Sequence, residues 1–219
     1  MKLEGAKINF LGDSITEGHG SSSVENCYVS LIGRNYGLAA ARNYGIGGTR
    51  FARQKAPSAN PRWDLDFCKR VKEMDPDADA VVIFGGTNDF GHGDRPIGTP
   101  EDRSAETFYG ACHELFSTAV TLYPGRPVVV VTPLHRLNED NPLGDGNKAE
   151  PTLPLAGYRD IIKKVAEYYS LPVLDLWAVS GLQPKVDVIR ERFMPDGLHP
   201  SDAGYAILAE RIANFLLSL

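Results

Sequence analysis

Short runs of apolar residues alternate along the chain with longer segments in which apolar residues recur every three or four positions. The continuous runs predict five buried strands, over residues 7–11, 39–44, 80–84, 128–132 and 173–176. The periodic segments predict helices over residues 25–36, 64–74, 102–123 and 155–169, and Ser201 is a suitable N-cap for a last helix. Apolar strands that alternate with amphipathic helices predict an α/β fold, with a parallel sheet buried between two layers of helices.

Residues 1–219 are expected to form a single domain, since no repeat, low-complexity tract or linker divides them. A chain of this length can bury about 70% of its unfolded surface in one core. Its 23 Lys and Arg residues against 28 Asp and Glu residues give a net charge of −5, and no basic block stands out. This balance argues against a nucleic acid or an anionic membrane as a partner. The sequence leaves the oligomeric state open.

The N-terminus and the cysteines bear on the cellular compartment. No apolar run approaches the roughly 18 residues of a membrane span, and the N-terminus lacks the apolar core of a signal peptide. Three widely spaced cysteines argue against a disulfide framework or a Cys-x-x-Cys metal site. Cys68 and Cys112 fall on apolar helical positions and are expected to be buried. We therefore expect a cytoplasmic protein.

Two candidate segments follow the first two strands, at the edge where parallel sheets carry their sites. Gly12-Asp13-Ser14-Ile15-Thr16 places a hydroxyl beside backbone N–H groups that can receive negative charge, although Ser14 could instead merely cap the next helix. Asn43-Tyr44-Gly45-Ile46-Gly47-Gly48 is rich in glycine, which allows a backbone N–H to approach a ligand closely. A dinucleotide fingerprint would need a glycine where Arg50 stands, so a nucleotide ligand is not favoured.

Two later segments supply the remaining chemistry. Gly85-Gly86-Thr87-Asn88-Asp89 follows the third strand, and the Asn88 amide is a donor that suits a developing oxyanion, although an Asx-turn would use the same residue type. In Asp196-Gly197-Leu198-His199-Pro200, the spacing can place a carboxylate beside an imidazole on one loop. A nucleophile, a base with its carboxylate and two oxyanion donors together predict acyl transfer.

These four segments resemble, in the right order, the four blocks of the SGNH hydrolases, also called GDSL-type esterases and lipases, and the match spans residues 8–216. The resemblance implies a flavodoxin-like three-layer α/β/α sandwich with a five-stranded parallel sheet in the order 2-1-3-4-5. It implies Ser14 as the nucleophile, His199 as the base and Asp196 as the carboxylate behind it. The implied oxyanion hole combines the Ser14 N–H, the Gly48 N–H and the Asn88 side chain. It implies no cofactor and no metal.

Other residues near these blocks have less specific signals. Asp13, His92 and His135 are candidates for substrate contact. Asp13 and Asp89 could instead accept hydrogen bonds from the backbone of their own loops. Asp175 ends the fifth predicted strand and is a rival to Asp196, and His19 and His113 read as loop and helix-surface residues. Residues 134–152 match no block and are too long for a simple connection, so they could form a lid, a pocket wall or a disordered loop.

The sequence thus predicts a serine esterase acting through an acyl-enzyme on small soluble esters, with short acyl groups or acetylated carbohydrates as substrates. A lysophospholipase, lipase or thioesterase acting on longer acyl chains is the alternative within the same chemistry. A haloacid dehalogenase-like phosphatase is less favoured, because Ile15 stands where its second Asp is needed. A non-catalytic carbohydrate-binding module would lack a member of the triad, and none is missing.

Overall fold

A computed structural model describes all of residues 1–219, and its centre is a single five-stranded sheet. The strands are β1 Lys7–Gly12, β2 Ala40–Gly45, β3 Ala80–Phe84, β4 Val128–Val131 and β5 Val173–Leu174. All neighbouring strands are parallel, and their order is β2-β1-β3-β4-β5. The predicted fold class and strand order are therefore confirmed.

Helices lie on both faces of this sheet. In chain order they are α1 Ser14–Glu17, α2 Tyr28–Asn35, α3 Phe67–Arg70, α4 Thr87–His92, α5 Phe108–Leu122, α6 Leu155–Tyr168, α7 Leu176–Val179, α8 Asp187–Phe193 and α9 Asp202–Ser218. Short 3₁₀ helices occupy Val24–Asn26, Pro61–Asp64 and Val71–Glu73. None of the helices combines the length and the apolar content that a membrane span requires.

Two cores of similar size flank the sheet, which explains why β3 and β4 are apolar without alternation and fully buried. The prediction of a buried strand was wrong for β2, which lies at the edge of the sheet and has no fully buried residue. A cluster of 27 buried residues packs α3, α5 and α6 on one face, and a cluster of 25 packs α2 and α9 on the other. In β3, Val81 and Ile83 join the first cluster, while Val82 and Phe84 join the second. Burial on both faces is what a parallel sheet inside a three-layer sandwich requires. All three cysteines are buried and free.

Strand register brings the candidate segments to one edge. Gly12 at the end of β1 pairs with Gly45 of β2 on one side and with Phe84 of β3 on the other. The three strands therefore end at the same level, and the loops that follow them begin side by side. This edge is where open parallel sheets place their ligands.

Several helix boundaries differ from those predicted, and in α3 and α5 a polar side chain caps the chain at the new boundary. The helix predicted over 102–123 begins only at Phe108, since the Thr107 hydroxyl accepts the Gly110 N–H at 3.0 Å while Asp102 accepts the Thr99 N–H at 3.0 Å. The helix predicted over 25–36 breaks at Cys27, whose backbone is extended. The helix predicted over 64–74 is split into short turns, and β5 ends before Asp175.

Candidate active site

Ser14 occupies the first position of α1, directly after β1. Asp13 caps this helix, with its Oδ1 accepting the Ile15 N–H at 3.0 Å. Because the first residues of a helix have no intrahelical acceptor, the Ser14 N–H remains without a protein partner. The turn thus presents a hydroxyl and a free N–H at the same residue.

His199 and Asp196 reach Ser14 from the loop that precedes α9. The Nε2 atom of His199 lies 2.9 Å from the Ser14 Oγ, and its Nδ1 lies 2.6 Å from the Asp196 Oδ2. The other oxygen of Asp196 accepts the backbone N–H groups of Leu198 and His199, at 2.9 and 2.7 Å. Ser14, His199 and Asp196 are called the triad below. Their contacts form the hydrogen-bonded chain that an activated serine requires.

The charge of Asp196 fixes the direction of this chain. Partial burial raises the pKa of Asp196, but the hydrogen bonds from the His199 ring and from the loop backbone outweigh it and bring the pKa to about 2. The carboxylate is therefore ionised at neutral pH and can only accept. His199 must then donate its Nδ1–H to Asp196, which leaves the Nε2 lone pair of the neutral ring facing the Ser14 hydroxyl.

Tyr205 of α9 connects the turn that carries Ser14 to the helix that follows the His199 loop. Its hydroxyl donates at 2.9 Å to the Ile15 carbonyl and lies 2.7 Å from the His19 carbonyl, both at the turn that carries Ser14. The His199 loop is anchored from its other side by Leu137, whose N–H donates to the Gly197 carbonyl at 2.9 Å. Gly197 has a positive φ of 77°, and a Cβ there would collide with the Leu137 side chain.

Gly48 and Asn88 lie on the loops after β2 and β3. Gly48 has a φ of 76°, and a Cβ at this position would collide with the Trp63 ring, so only glycine fits. Its N–H finds no acceptor in the protein. The Asn88 amide donates one N–H to the Thr49 carbonyl at 3.0 Å, which orients the group and leaves its second N–H free. Free, preorganised donors of this kind can stabilise an oxyanion.

A buried arginine joins these loops. Arg70 donates to the Gly12 carbonyl at 3.1 Å, to the Tyr44 carbonyl at 2.6 Å and to the Thr49 hydroxyl at 2.8 Å. It therefore ties the ends of β1 and β2 to the loop that carries the Gly48 N–H. Burial lowers the pKa of Arg70 to about 10, so it remains charged at neutral pH.

Asp13 and Asp89 are both buried, and their oxygens serve the loop backbone. Asp89 accepts the Phe51 and Ala52 N–H groups, each at 2.9 Å, as Asp13 accepts that of Ile15. Burial raises the pKa of each carboxyl to about 6. Asp13, a candidate for substrate contact, thus faces the protein interior beneath Ser14, where only 2% of its surface is exposed.

The two remaining candidate histidines have different surroundings. The ring of His92 lies beside that of Trp63, with the centroids 5.1 Å apart, and Trp63 in turn covers Gly48. The His135 ring instead packs on Trp177 with the centroids 3.7 Å apart, and its Nδ1 lies 2.9 Å from a Glu139 oxygen. None of the hydrogen bonds or ring contacts of His135 involves the triad. His92 has no contact with the triad either, but it is linked to Gly48 through Trp63, a link that His135 lacks.

The Asp175 carboxylate is hydrogen-bonded to residues outside the triad. It accepts hydrogen bonds from Arg159, from Lys163 at 2.6 Å and from Thr132 at 3.0 Å. Although partial burial opposes ionisation, these donors hold the pKa of Asp175 well below its usual range. The structure thus places Asp196, rather than its rival Asp175, against His199.

Residues 134–152 are held by internal contacts. Buried Arg136 pairs with Asp145 and donates to Thr87 at the start of α4, while the Glu139 Oε2 accepts the Arg136 N–H at 3.0 Å. Lys148 donates to the Asp89 carbonyl at 2.9 Å and to the Gly93 carbonyl. The segment therefore braces α4 at one end and the His199 loop, through Leu137, at the other. Of the three roles left open by the sequence, these contacts favour a wall.

The family relationship follows from the sequence as a whole. A profile of the GDSL-like Lipase/Acylhydrolase family matches residues 10–207, which include every residue of the site described above. The chain belongs to this family. It is accordingly a carboxylic ester hydrolase. The comparison with curated proteins finds no match.

Solved structures resemble this GDSL-like hydrolase over its whole length. A crystal structure with 33% sequence identity has a TM-score of 0.84 and covers 100% of this chain and 99% of its own. A protein from Lactobacillus plantarum, 25% identical, has a TM-score of 0.83 with coverage of 99% and 98%. A two-domain esterase active on acetylated mannans is 24% identical with a TM-score of 0.59, and the match covers 98% of this chain but 50% of that protein. This last likeness shows the fold alone.

Three residues at the site of this GDSL-like hydrolase were not predicted from the sequence to lie there. Trp63 covers Gly48, Arg50 is buried beside it, and the His19 ring lies 5.6 Å from that of His199. Trp63 and Arg50 lie in or next to a segment without apolar periodicity. The one available signal there was that a tryptophan and an arginine stand close to a glycine-rich block. His113, expected on a helix surface, is instead buried against Tyr169.

Proposed function

We propose that this GDSL-like hydrolase is a serine esterase that cleaves short-chain esters of small, hydrated alcohols, acetylated carbohydrates among them, through an acyl-enzyme on Ser14. The observation that carries the proposal is the unbroken hydrogen-bonded chain from Ser14 through His199 to Asp196, at 2.9 and 2.6 Å, beside two unpartnered backbone donors. No other group in the site offers a nucleophile already paired with a base.

In the acylation step, the Ser14 Oγ attacks the ester carbonyl carbon while the His199 Nε2 takes the hydroxyl proton. The carbonyl electrons move onto oxygen, and the resulting oxyanion accepts hydrogen bonds from the Ser14 N–H, the Gly48 N–H and the free N–H of Asn88. Asp196 stabilises the imidazolium that forms. When the carbonyl reforms, the bond to the alcohol oxygen breaks, and this oxygen takes the proton from His199.

Deacylation repeats the same steps with water as the nucleophile. His199 removes a proton from water as the water oxygen attacks the acyl carbon, and the same three donors receive the second oxyanion. The bond to the Ser14 oxygen then breaks, and this oxygen regains its proton from His199. The acid is released and the enzyme returns to its starting state.

The walls of the site favour small substrates over long acyl chains. A long alkyl chain needs apolar area, since each buried CH₂ contributes about 0.8 kcal/mol. Residues 134–152 instead carry nine charged or amide side chains against three leucines, and the indole of Trp63 covers Gly48. The likeness to an esterase active on acetylated mannans supports a carbohydrate ester as one such substrate. A phosphatase would need an accessible carboxylate nucleophile, whereas Asp13 is buried.

Acyl-chain selectivity tests this proposal. For p-nitrophenyl esters from acetyl to dodecanoyl, we expect kcat/KM to be highest between acetyl and butyryl and to fall steeply beyond, because the polar walls give longer chains no apolar area. Initial rates over the series, measured below the critical micelle concentration of the longer esters, provide the comparison. A maximum at octanoyl or longer, or a strong preference for thioesters, would assign the site to lipids or acyl thioesters instead.

Asn88 provides a test of the oxyanion hole. Replacing it with alanine should lower kcat about 10²–10³-fold with little change in KM, because its free N–H acts on charge that develops only in the transition state. The matched control is Asn35→Ala, at the exposed end of α2, which should leave both constants unchanged. A rise in KM with kcat within a few-fold of wild type would make Asn88 a turn residue that supports the Thr49 carbonyl.

A further inference from the structure

Arg50 organises the side of the site that lies next to Gly48 and Asn88. Its side chain is almost completely buried and donates to the His92 Nδ1 at 2.8 Å and to the Trp63 carbonyl at 2.8 Å. It also pairs with Asp64, 3.1 Å away, in the turn that carries Trp63. One guanidinium thus binds the His92 ring and the backbone of Trp63.

The contact with Arg50 determines which nitrogen of His92 carries the proton. A guanidinium has donors and no acceptor, so the Nδ1 of His92 must accept and the proton of the neutral ring must sit on Nε2. Burial, together with the charge of Arg50, lowers the pKa of His92 to about 4, which keeps the ring neutral. The Nε2–H finds no acceptor in the protein, and Nε2 is not among the buried polar atoms that lack a partner. It is therefore an accessible, neutral donor of fixed tautomer.

This donor lies close to the proposed oxyanion hole. His92 follows Asn88 by one turn of α4, so the two side chains share a face of the helix. The Trp63 ring lies 5.1 Å from that of His92 and covers Gly48. Beyond His92, a cavity of about 460 Å³ opens between residues 92–97 and 147–152. Its volume falls in the ordinary range of small-molecule sites, about 300–1,000 Å³.

Three of the charged residues around this cavity are already bound within the protein. Asp94 accepts the Lys55 and Ala56 N–H groups at 2.7 and 2.8 Å, and Arg95 pairs with Glu106 at 2.6 Å. Lys148 is bound to the carbonyls of Asp89 and Gly93. Glu150, at the exposed rim, has no partner in the protein and can accept a hydrogen bond from a hydroxyl. The walls therefore disfavour an anion and offer both donors and acceptors to a neutral polar ligand.

We infer that Trp63, His92 and the adjoining cavity form a subsite for an uncharged, polyhydroxylated ring of the ester substrate, in which the His92 Nε2–H donates to a hydroxyl or ring oxygen. An aromatic face beside a fixed N–H donor matches a sugar ring, which has apolar C–H faces and a polar edge. The inference rests on the proposed esterase function, since it names the part of the substrate that lies beside the reacting ester.

Paired substrates test the subsite in the unmodified enzyme. A monoacetylated methyl hexoside and cyclohexyl acetate present the same ester on rings of similar size, but only the first has hydroxyl groups. We expect wild-type kcat/KM to be about tenfold higher for the hexoside, the fold-change that corresponds to one well-placed hydrogen bond. Equal values for the two esters would overturn the inference while leaving the esterase function intact. Failure to cleave either ester, or p-nitrophenyl acetate, would instead overturn the proposed function.

The variant His92→Asn then tests the contribution of the His92 Nε2–H alone. The Asn oxygen can replace Nδ1 as the acceptor for Arg50, while nothing replaces the Nε2–H, so the preference for the hexoside should fall about tenfold. His92→Gln, which can present an amide N–H near the Nε2 position, should retain more of the preference and covers the case in which the Asn variant does not fold. His135→Asn is the matched control and should leave the ratio unchanged. A ratio that changes with His135 and not with His92 would contradict the assignment.

Discussion

Replacement of Ser14 by alanine is expected to lower kcat for p-nitrophenyl acetate by about 10⁶-fold, the loss seen when a serine hydrolase loses its nucleophile. His199, Asp196 and the oxyanion donors remain in this variant, but no oxygen can form the acyl-enzyme. The fold should be unaffected, because the only hydrogen-bond partner of the Ser14 hydroxyl is His199.

Steady-state rates and circular dichroism of the purified variant provide this measurement. Ser117→Ala is a suitable control, since the Ser117 hydroxyl bonds only to carbonyls within α5, remote from the triad. The control should retain the wild-type kcat. A Ser14→Ala enzyme with activity within tenfold of wild type, purified free of contaminating esterase, would exclude Ser14 as the nucleophile.

Asp196→Asn should lower kcat by about 10⁴-fold, the second-largest effect expected here. In the wild-type enzyme the carboxylate accepts the Nδ1–H of His199, which leaves Nε2 free to accept the Ser14 proton. An amide can instead donate to Nδ1 and thereby place the ring proton on Nε2. Ser14 would then face a donor in place of a base, although the volume of the side chain and the backbone are unchanged.

Asp175→Asn is the matched control for this prediction. Asp175 accepts from Arg159 and Lys163 and has no contact with His199, so its replacement should lower the melting temperature and leave kcat nearly unchanged. Measuring both kcat and thermal unfolding separates the two effects. If Asp175→Asn abolished activity and Asp196→Asn did not, the two carboxylates would have to exchange roles.

The sheet could be predicted well from the sequence because its signal is local. Strands buried on both faces appear as uninterrupted apolar runs, and β3 and β4 show this pattern, while β1 shows it apart from Asn9. Polar motifs that directly follow parallel strands lie together at the carboxyl edge of the sheet. The blocks that carry Ser14 and Asn88 consequently meet in the structure as their positions along the chain indicate.

Contacts between distant segments could not be predicted in the same way. Arg50 and Arg70 are charged residues in a protein with ordinary composition, and nothing local indicates that each would be buried among carbonyls of other loops. Helix ends depend likewise on single hydrogen bonds, such as the Thr107 cap, that override the apolar period. Residues 134–152 lack periodicity because they are held by ion pairs, each with one buried partner, Arg136 or Glu139.

Covalent labelling with a fluorophosphonate tests most directly whether Ser14 is the nucleophile of a hydrolase triad. After reaction, peptide mass spectrometry should locate one modification per chain, on Ser14, and labelling should be lost in Ser14→Ala and greatly slowed in Asp196→Asn. Prior incubation with an ester substrate should slow the labelling of the wild-type enzyme. Modification of another residue, or labelling that persists in Ser14→Ala, would contradict the assignment.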